Sequence, residues 1–491
     1  MFLIGYFNTL DKIKYGVDNK KRPYYGFTPF YGDYKKIKIT YSGKQKGKLL
    51  AQIEIIKFDD FPTGRIINII GKYDKNNIYN LILNDSHHKF IEEEINNKEI
   101  FLEDYDKKFV TIDPDGSIDL DDGFNLCYPI LDIIIACPVY FLDNNIVLNK
   151  FKSAVSTRYG QKIEHLWGNK INSKASLLKN NKTVLQILSY NLETKNYNIS
   201  FKLGSNSYQL TYDFVDNKVL KLENNNYNFL REWYSKLNEY FSFTNSHELI
   251  EEIMILANKL YTDFLCKNNL PVIYRKFILN HDYDNITLQQ NIKHIFNQKK
   301  SDSAIYTLEK NNQELMGGLY SHFTSPLRRL IDTLHQLIIL KYIEGDIEYI
   351  NEIKNNLKVN LNKINIRFEK IKRFHREYNL LKDNIELDMS KDYEGIVFNI
   401  YKNKIDVWCE EINRFIKVEF VNNNLLFQYQ IIYNNNEWEI IDKIDNKIMI
   451  YKIGDLINFK LNKKDSLLPS KNIIGLLKKI AISKLQSNLL Q

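Results

Sequence analysis

FVTIDPDGSIDLDDGF, residues 109–124, carries five aspartates, Asp113, Asp115, Asp119, Asp121 and Asp122, within ten positions. Carboxylates at this density cannot all ionise without a compensating cation, a demand that a Mg2+ or Mn2+ site meets with oxygen ligands. In an extended chain Asp113, Asp119 and Asp121 share one face and Asp122 points away. Convergence therefore needs a bent loop, which Gly116 and Gly123 permit. The β-like run from Phe109 to Ile112 leads into the cluster, and Ile118, Leu120 and Phe124 interleave it with apolar anchors. The loop is thus expected to be tied to a core rather than to be a solvated acidic turn. A calcium loop of EF-hand type is excluded: counted from Asp113, Ile118 and Phe124 stand where Gly and Glu are required.

The second dense signal is LYSHFTSPLRRLIDTLHQLIILKYIEG, residues 319–345. Ser325 suits an N-cap and Pro326 a first helical position. Leu327, Leu330, Ile331, Leu334 and Ile338 form the apolar stripe of a helix that ends near Gly345. Arg328 and Arg329 then fall in the first turn, where cations oppose the helix dipole by up to ~1 kcal/mol unless an anion binds there. Free N–H groups and two guanidinium groups together would make a phosphate site. The plainer alternative pairs the arginines with Asp332, one turn along, or with solvent. His322 and His335, each isolated, read as packing residues. A further helix is expected from His247, capped by Ser246, through ELIEEIMILANKLYTDFL; Glu251, Glu252 and Asn258 interrupt it and read by themselves as a solvated face.

The rest of the chain bounds the answer. At ~150 residues per domain, 491 residues suggest about three domains. Lys and Arg exceed Asp and Glu by 68 to 60, a net charge of +8; without the five clustered aspartates the balance is 68 to 55, or +13. With 33 Tyr, 28 Phe and 4 Trp, a basic chain is well supplied for stacking on bases. Cys127, Cys137, Cys266 and Cys409 lie far apart with no CxxC pair, which supports neither a disulfide framework nor structural zinc. That usage points to a reducing, intracellular setting, cytoplasmic in the simplest case, with an organelle or a virus also open. IIIACPVYFL, residues 133–142, is too short to span a bilayer and reads as a buried strand containing Pro138; no membrane partner and no signal peptide are expected. KKIKIT, LLAQIEII and GRIINIIG in the first 95 residues, and YEGIVFNIY, KIDVWCEE, RFIKVEF, FQYQIIY, EWEIIDKI and IGDLINFKL after residue 392, alternate as strands of small β-barrels do.

Taken together and in order, TIDPDGSIDLDDGF, IEEIMILAN and YSHFTSPLRR resemble the RNB domain of the ribonuclease II family of 3′ to 5′ exoribonucleases. The resemblance implies an α+β multidomain protein, with an RNB-type α/β catalytic domain (96–388) flanked by OB-type barrels, cold-shock-like at 1–95 and S1-like at 389–491. It implies hydrolysis of single-stranded RNA to nucleoside 5′-monophosphates by two magnesium ions, manganese being an alternative. Asp113, Asp119, Asp121 and Asp122 become the metal carboxylates, with Asp121 and Arg328 catalytic. Tyr159, in STRYG, matches the tyrosine that helps hold the 3′ end, and Arg328, Arg329, Tyr320, His322 and Glu252 join it in the RNA-contacting set. Two departures stand out: EHLWG, residues 164–168, replaces the family's PMLP stretch, and Gln336 and Leu337 replace its His-Arg pair, His335 being displaced by one. The room before the catalytic domain fits one barrel where larger members have two. The alternative from another class is an RNB-like RNA-binding regulator, or a subunit of an RNA-processing assembly, without nuclease activity.

Overall fold

The computed structural model describes residues 2–11, 15–29, 36–57, 61–86, 88–96, 101–221, 225–276, 304–310, 312–313, 318–382, 387–401, 404–419, 429–434, 437–442, 448–463 and 473–477. They fall into two compact units, one including 1–85 and 376–491, the other 86–278 and 299–375.

In the first unit, strands β1 (Phe2–Asn8), β2 (Tyr24–Pro29), β3 (Ile37–Thr40), β4 (Lys48–Lys57) and β5 (Thr63–Lys72) close into a barrel in the order β1-β2-β3-β5-β4. Period-2 alternation drives it: Ile37 and Ile39 of β3, and Leu49, Ala51, Ile53 and Ile55 of β4, point inward with Phe7 and Phe27. A helix, Lys75–Asp85, follows it. The C-terminal region forms a second closed barrel from Asp392–Tyr401, Lys404–Cys409, Arg414–Glu419, Leu456–Lys463 and Ile473–Leu477. Two of the expected barrel strands lie elsewhere. Tyr429–Asn434 and Glu437–Asp442 pair with Ile448–Tyr451 as a separate three-stranded sheet. Alternation identifies a strand but not the sheet that receives it.

The second unit is built on a six-stranded sheet. Its strands are β6 (Val110–Asp113), β7 (Asp122–Cys127), β8 (Ile130–Ala136), β11 (Lys182–Asn191), β12 (Tyr197–Ser205) and β13 (Tyr208–Thr211), in the order β12-β11-β8-β7-β6-β13. A two-stranded ribbon, β9 (Arg158–Tyr159) with β10 (Ile163–Glu164), intervenes along the chain. Only β13 runs parallel to its neighbour, β6. Strand β8 lies between β7 and β11 with Leu131 and Ile133 to Ala136 fully buried, as the apolar run suggested. The expected strand stops early: Pro138 opens a 3-10 turn, Pro138–Phe141, because it has no N–H for a ladder.

Strands β6 and β7 meet at a single register pair, Val110 with Phe124, and the chain between them leaves the sheet as the aspartate loop. Gly116, at φ +75°, makes the turn. Gly123 serves differently: a Cβ there would sit 2.7 Å from the Val110 carbonyl oxygen, so the close approach of β7 to β6 requires its absence. Leu120 and Phe124 are fully buried anchors as expected, whereas Ile118 is 43% exposed. Ser176 pins the loop from outside, donating to the Ile118 carbonyl and accepting from the Leu120 N–H.

Trp167, in the EHLWG segment, is fully buried, and its Nε1 donates to the Pro326 carbonyl at 2.9 Å. It thereby ties that segment to the turn bearing Arg328. Trp167→Ala is expected to destabilise this unit by about 3–5 kcal/mol, and Trp167→Phe, which keeps most of the volume and leaves the Pro326 carbonyl its second donor, Thr333 Oγ1 at 2.8 Å, by about 0.5–1.5 kcal/mol. Chemical denaturation measures both; equal losses would mean that ring volume does not hold the segment.

Candidate active site

A cavity of about 350 Å3 is lined by Asp113, Asp119, Asp121 and Asp122, with Asp115, Tyr159, Ile163 and Arg328 among its other walls. The loop thus brings together the four carboxylates that an extended chain would separate. Asp113 ends β6 and Asp122 begins β7, so the sheet fixes both ends, and Asp121 is held through its carbonyl, which accepts from the Ala136 N–H.

Each carboxylate has its own surroundings. Asp121 is buried; it accepts the Leu327 N–H on Oδ1 at 2.8 Å and Arg328 Nε on Oδ2 at 3.0 Å. Burial nevertheless outweighs these donors and lifts its pKa to about 8. Burial also raises the Asp113 carboxyl, with further repulsion from Asp122 and Asp121, and raises Asp122 against the pull of Arg328. Asp119 is the exception. Burial acts on it in the same direction, but His165 and Tyr159 outweigh it, and the carboxyl stays below its ordinary range. The Tyr159 hydroxyl donates to Asp119 Oδ2 at 2.7 Å, and His165 Nδ1 lies 2.8 Å from Oδ1. The Tyr159 backbone N–H donates in turn to His375 Nε2 at 3.0 Å. His165 and His375 escaped the sequence reading. The EHLWG departure was the available signal for the first; nothing local marks the second, which is brought in by the long helix Ile347–Lys382.

The arginine segment differs from expectation. The helix begins at Leu330, running to Ile343, and Arg329 is its N-cap in extended conformation, at φ −134° and ψ 125°. Ser325 is not the cap, and both arginines precede the first turn. The reason is a competing partner: Thr157 N–H and Ser156 Oγ donate to the Arg328 carbonyl, and Leu330 N–H donates to the Val155 carbonyl, which stretches the chain against residues 155–157. The N–H groups expected to face an anion are therefore engaged, Leu327 with Asp121, and Arg328 and Arg329 with the Ser325 carbonyl. The two guanidinium groups also part company. Arg329 pairs with buried Asp332 at 2.8 Å, as the plainer alternative had it. Arg328 turns to Asp121 and Ser325 Oγ and keeps its side chain 46% exposed at the cavity.

Tyr320 and His322 are core residues. The Tyr320 hydroxyl accepts from Asn258 Nδ2, and His322 Nδ1 meets the Tyr306 hydroxyl at 2.8 Å; burial and then the Arg329 and Arg275 charges drive its pKa far down. Neither side chain offers a surface to a strand. Glu252 is exposed on the helix Ser246–Lys267 and does not line the cavity. That helix is capped by Asn245, whose side chain accepts from the Glu248 N–H, rather than by Ser246. Asn258, read as solvated, is buried and accepts the Phe323 N–H at 2.7 Å. At the second departure, buried Gln336 donates to the Ala136 carbonyl and His335 Nε2 accepts from the Ile273 N–H, so both serve packing.

With this geometry, comparison with known proteins becomes specific. A family model of the RNB domain matches residues 216–345, a range holding the Asn258 helix and the Arg328 turn but not the aspartate loop. Apo RNase R of Mycoplasma genitalium superposes with a TM-score of 0.70 at 16% identity, over 97% of this chain and 90% of that one. The fold is the RNB fold. The same RNase R with ribose-methylated single-stranded RNA gives 0.69 at 17% identity, again over 97% and 90%. Yeast Ssd1, described as a pseudonuclease, shares the RNB fold at a TM-score of 0.59 and 13% identity, over 90% of this chain and 68% of that one. No curated protein matches the chain.

The donor set suits a hard divalent cation. All four acids offer oxygen, and Asp113 Oδ2 is buried without a hydrogen-bond partner. Among the described residues, however, no three His, Cys, Asp or Glu side chains are already arranged around one ion. Asp121 spends both oxygens on Leu327 and Arg328 and Asp119 spends Oδ2 on Tyr159, while Asp119 Oδ1, like Asp113 Oδ2, is buried without a hydrogen-bond partner among the described residues.

Folded Asp121 keeps its proton to about pH 8 while the unfolded carboxyl releases it near 3.8. Across that window the folded state binds more protons, so this group makes stability fall as pH rises. A cation bound to the ionised cluster offsets that loss. Mg2+ is therefore expected to raise the melting temperature more at about pH 8 than at about pH 5.5; an equal rise at both would contradict the burial of these carboxylates.

Proposed function

We propose that this chain is a metal-dependent 3′ to 5′ exoribonuclease that hydrolyses single-stranded RNA to nucleoside 5′-monophosphates. The observation that carries the reading is the meeting of Asp113, Asp119, Asp121, Asp122, Tyr159 and Arg328 in one cavity on an RNB fold. Held by those four aspartates, magnesium, or manganese in its place, supplies Lewis acidity at the scissile phosphate.

The chain's own groups do the rest. Asp121 orients the Arg328 guanidinium through Nε, and Ser325 fixes one amino group. The remaining N–H donors stay available to the phosphate oxygens as charge builds in the transition state. Burial and then the Asp119 charge raise the Tyr159 pKa, so the hydroxyl stays neutral and its lone pairs can accept from a 3′-terminal ribose hydroxyl. Ile118 and Ile163, 43% and 41% exposed on the cavity wall, give the terminal sugar and base an apolar seat. OB-type barrels bind single strands through cations and rings; in the N-terminal barrel Lys48 lies over the Tyr6 and Tyr73 rings at 4.3 and 3.9 Å. No described helix is long and apolar enough to cross a membrane.

A second reading, RNA binding without cleavage, is favoured by the unassembled ligand shell among the described residues and by the likeness to Ssd1. Two variants separate them. Asp121→Asn is expected to keep RNA affinity while monophosphate release falls by about 10²-fold or more; undiminished release would reject the site. Arg328→Ala is expected to lower turnover by about 10²–10³-fold with little change in affinity, and matched losses would make it a phosphate clamp instead.

A further inference from the structure

The unit of residues 86–278 and 299–375 has a second cavity, of about 540 Å3, that shares no lining residue with the acidic one. One wall is a face of the helix Ile347–Lys382, where Asn360, Lys363, Arg367 and Lys370 recur at intervals of three and four; the other is the chain around Lys152. Four cations line it and no carboxylate does. Lys152 and Lys363, both exposed, bring like charge to this one cavity, which favours an anion there.

Two further features narrow the anion. Arg367 is fixed in advance: its guanidinium donates to the Ser153 carbonyl at 3.2 Å and to the Lys152 carbonyl at 2.7 Å, so ligand binding need not order it. Lys363 Nζ is steadied by Asn360 Oδ1 at 3.1 Å. The volume falls within the ~300–1,000 Å3 of organic-ligand sites and is generous for a lone phosphate ion. Exposed Ile366 suits a base or a ribose beside the charge.

We infer that this cavity binds a nucleotide through its phosphate, either a free nucleoside 5′-monophosphate or one unit of an RNA strand. The preference for a nucleotide over other phosphate esters rests on the proposed function; the phosphate chemistry rests on the cavity alone. The site lies outside the catalytic constellation, so it acts by holding strand or product and takes no part in bond cleavage.

The test uses the full chain in EDTA, with AMP and a fluorescent oligoadenylate as probes. Lys152→Gln/Lys363→Gln neutralises two exposed lysines, and Lys152→Arg/Lys363→Arg keeps the charge; single Gln variants and melting curves guard against misfolding. The Gln pair is expected to weaken at least one probe about tenfold, and for the strand to shrink the salt slope by about 0.7 for each phosphate no longer neutralised, with the Arg pair close to wild type. Weakening for AMP alone assigns a free nucleotide; weakening for the oligonucleotide assigns the strand. Unchanged affinity for both probes, or equal weakening in the Gln and Arg pairs, overturns the inference. RNA shortening in Mg2+ is scored on the same proteins. Weakened binding with no cleavage by wild type sinks the exonuclease but not the cavity, and intact cleavage with unaltered binding sinks the cavity alone.

Discussion

The buried carboxylate of Asp121 joins two stretches of chain more than two hundred residues apart. Its oxygens take the Leu327 N–H and the Arg328 guanidinium. Burial lifts the Asp121 pKa to about 8 and the Arg328 side chain is 46% exposed, so the contact between them is weak evidence for stability. Its value here is geometric. It ties Leu327 and the Arg328 side chain to the aspartate loop, while Trp167 ties the same turn to the EHLWG segment through Pro326.

Around that pair the cavity divides its labour by environment. Asp113, Asp121 and Asp122 are pushed toward protonation by burial, and Asp119 is kept ionised by Tyr159 and His165. Three carboxyls held up by burial beside one held down form a frustrated cluster, the kind of tuning that catalytic chemistry uses. His165 is particular to the EHLWG departure. Its Nδ1 lies 2.8 Å from Asp119 Oδ1, so the departure reaches a carboxylate of the cavity.

Much of this is legible in the sequence alone. Aspartate density, the glycines and the apolar anchors locate the loop, and alternation locates both barrels, because those signals are local. The errors come where a distant partner outbids a local preference. Ser325–Pro326 is a good helix start in isolation, but residues 155–157 stretch the chain there and delay the helix to Leu330. Asn258 interrupts an apolar face and reads as solvated, but the Phe323 N–H needs an acceptor in the core. Tyr320 and His322 adjoin the arginines in sequence yet point into that core, since adjacency along the chain does not fix direction. His375 has no local signal because its partner, Tyr159, lies 216 positions away.

The central claim is that the acidic cavity removes nucleotides one at a time from a 3′ end. A single-stranded RNA labelled at its 5′ end, incubated with the purified chain and Mg2+ beside an EDTA control, tests it directly. The account predicts a ladder that shortens from the 3′ side to a small labelled product with Mg2+ and full-length RNA with EDTA. A mobility shift with no shortening in Mg2+ would contradict it and leave an RNA-binding protein on an RNB fold.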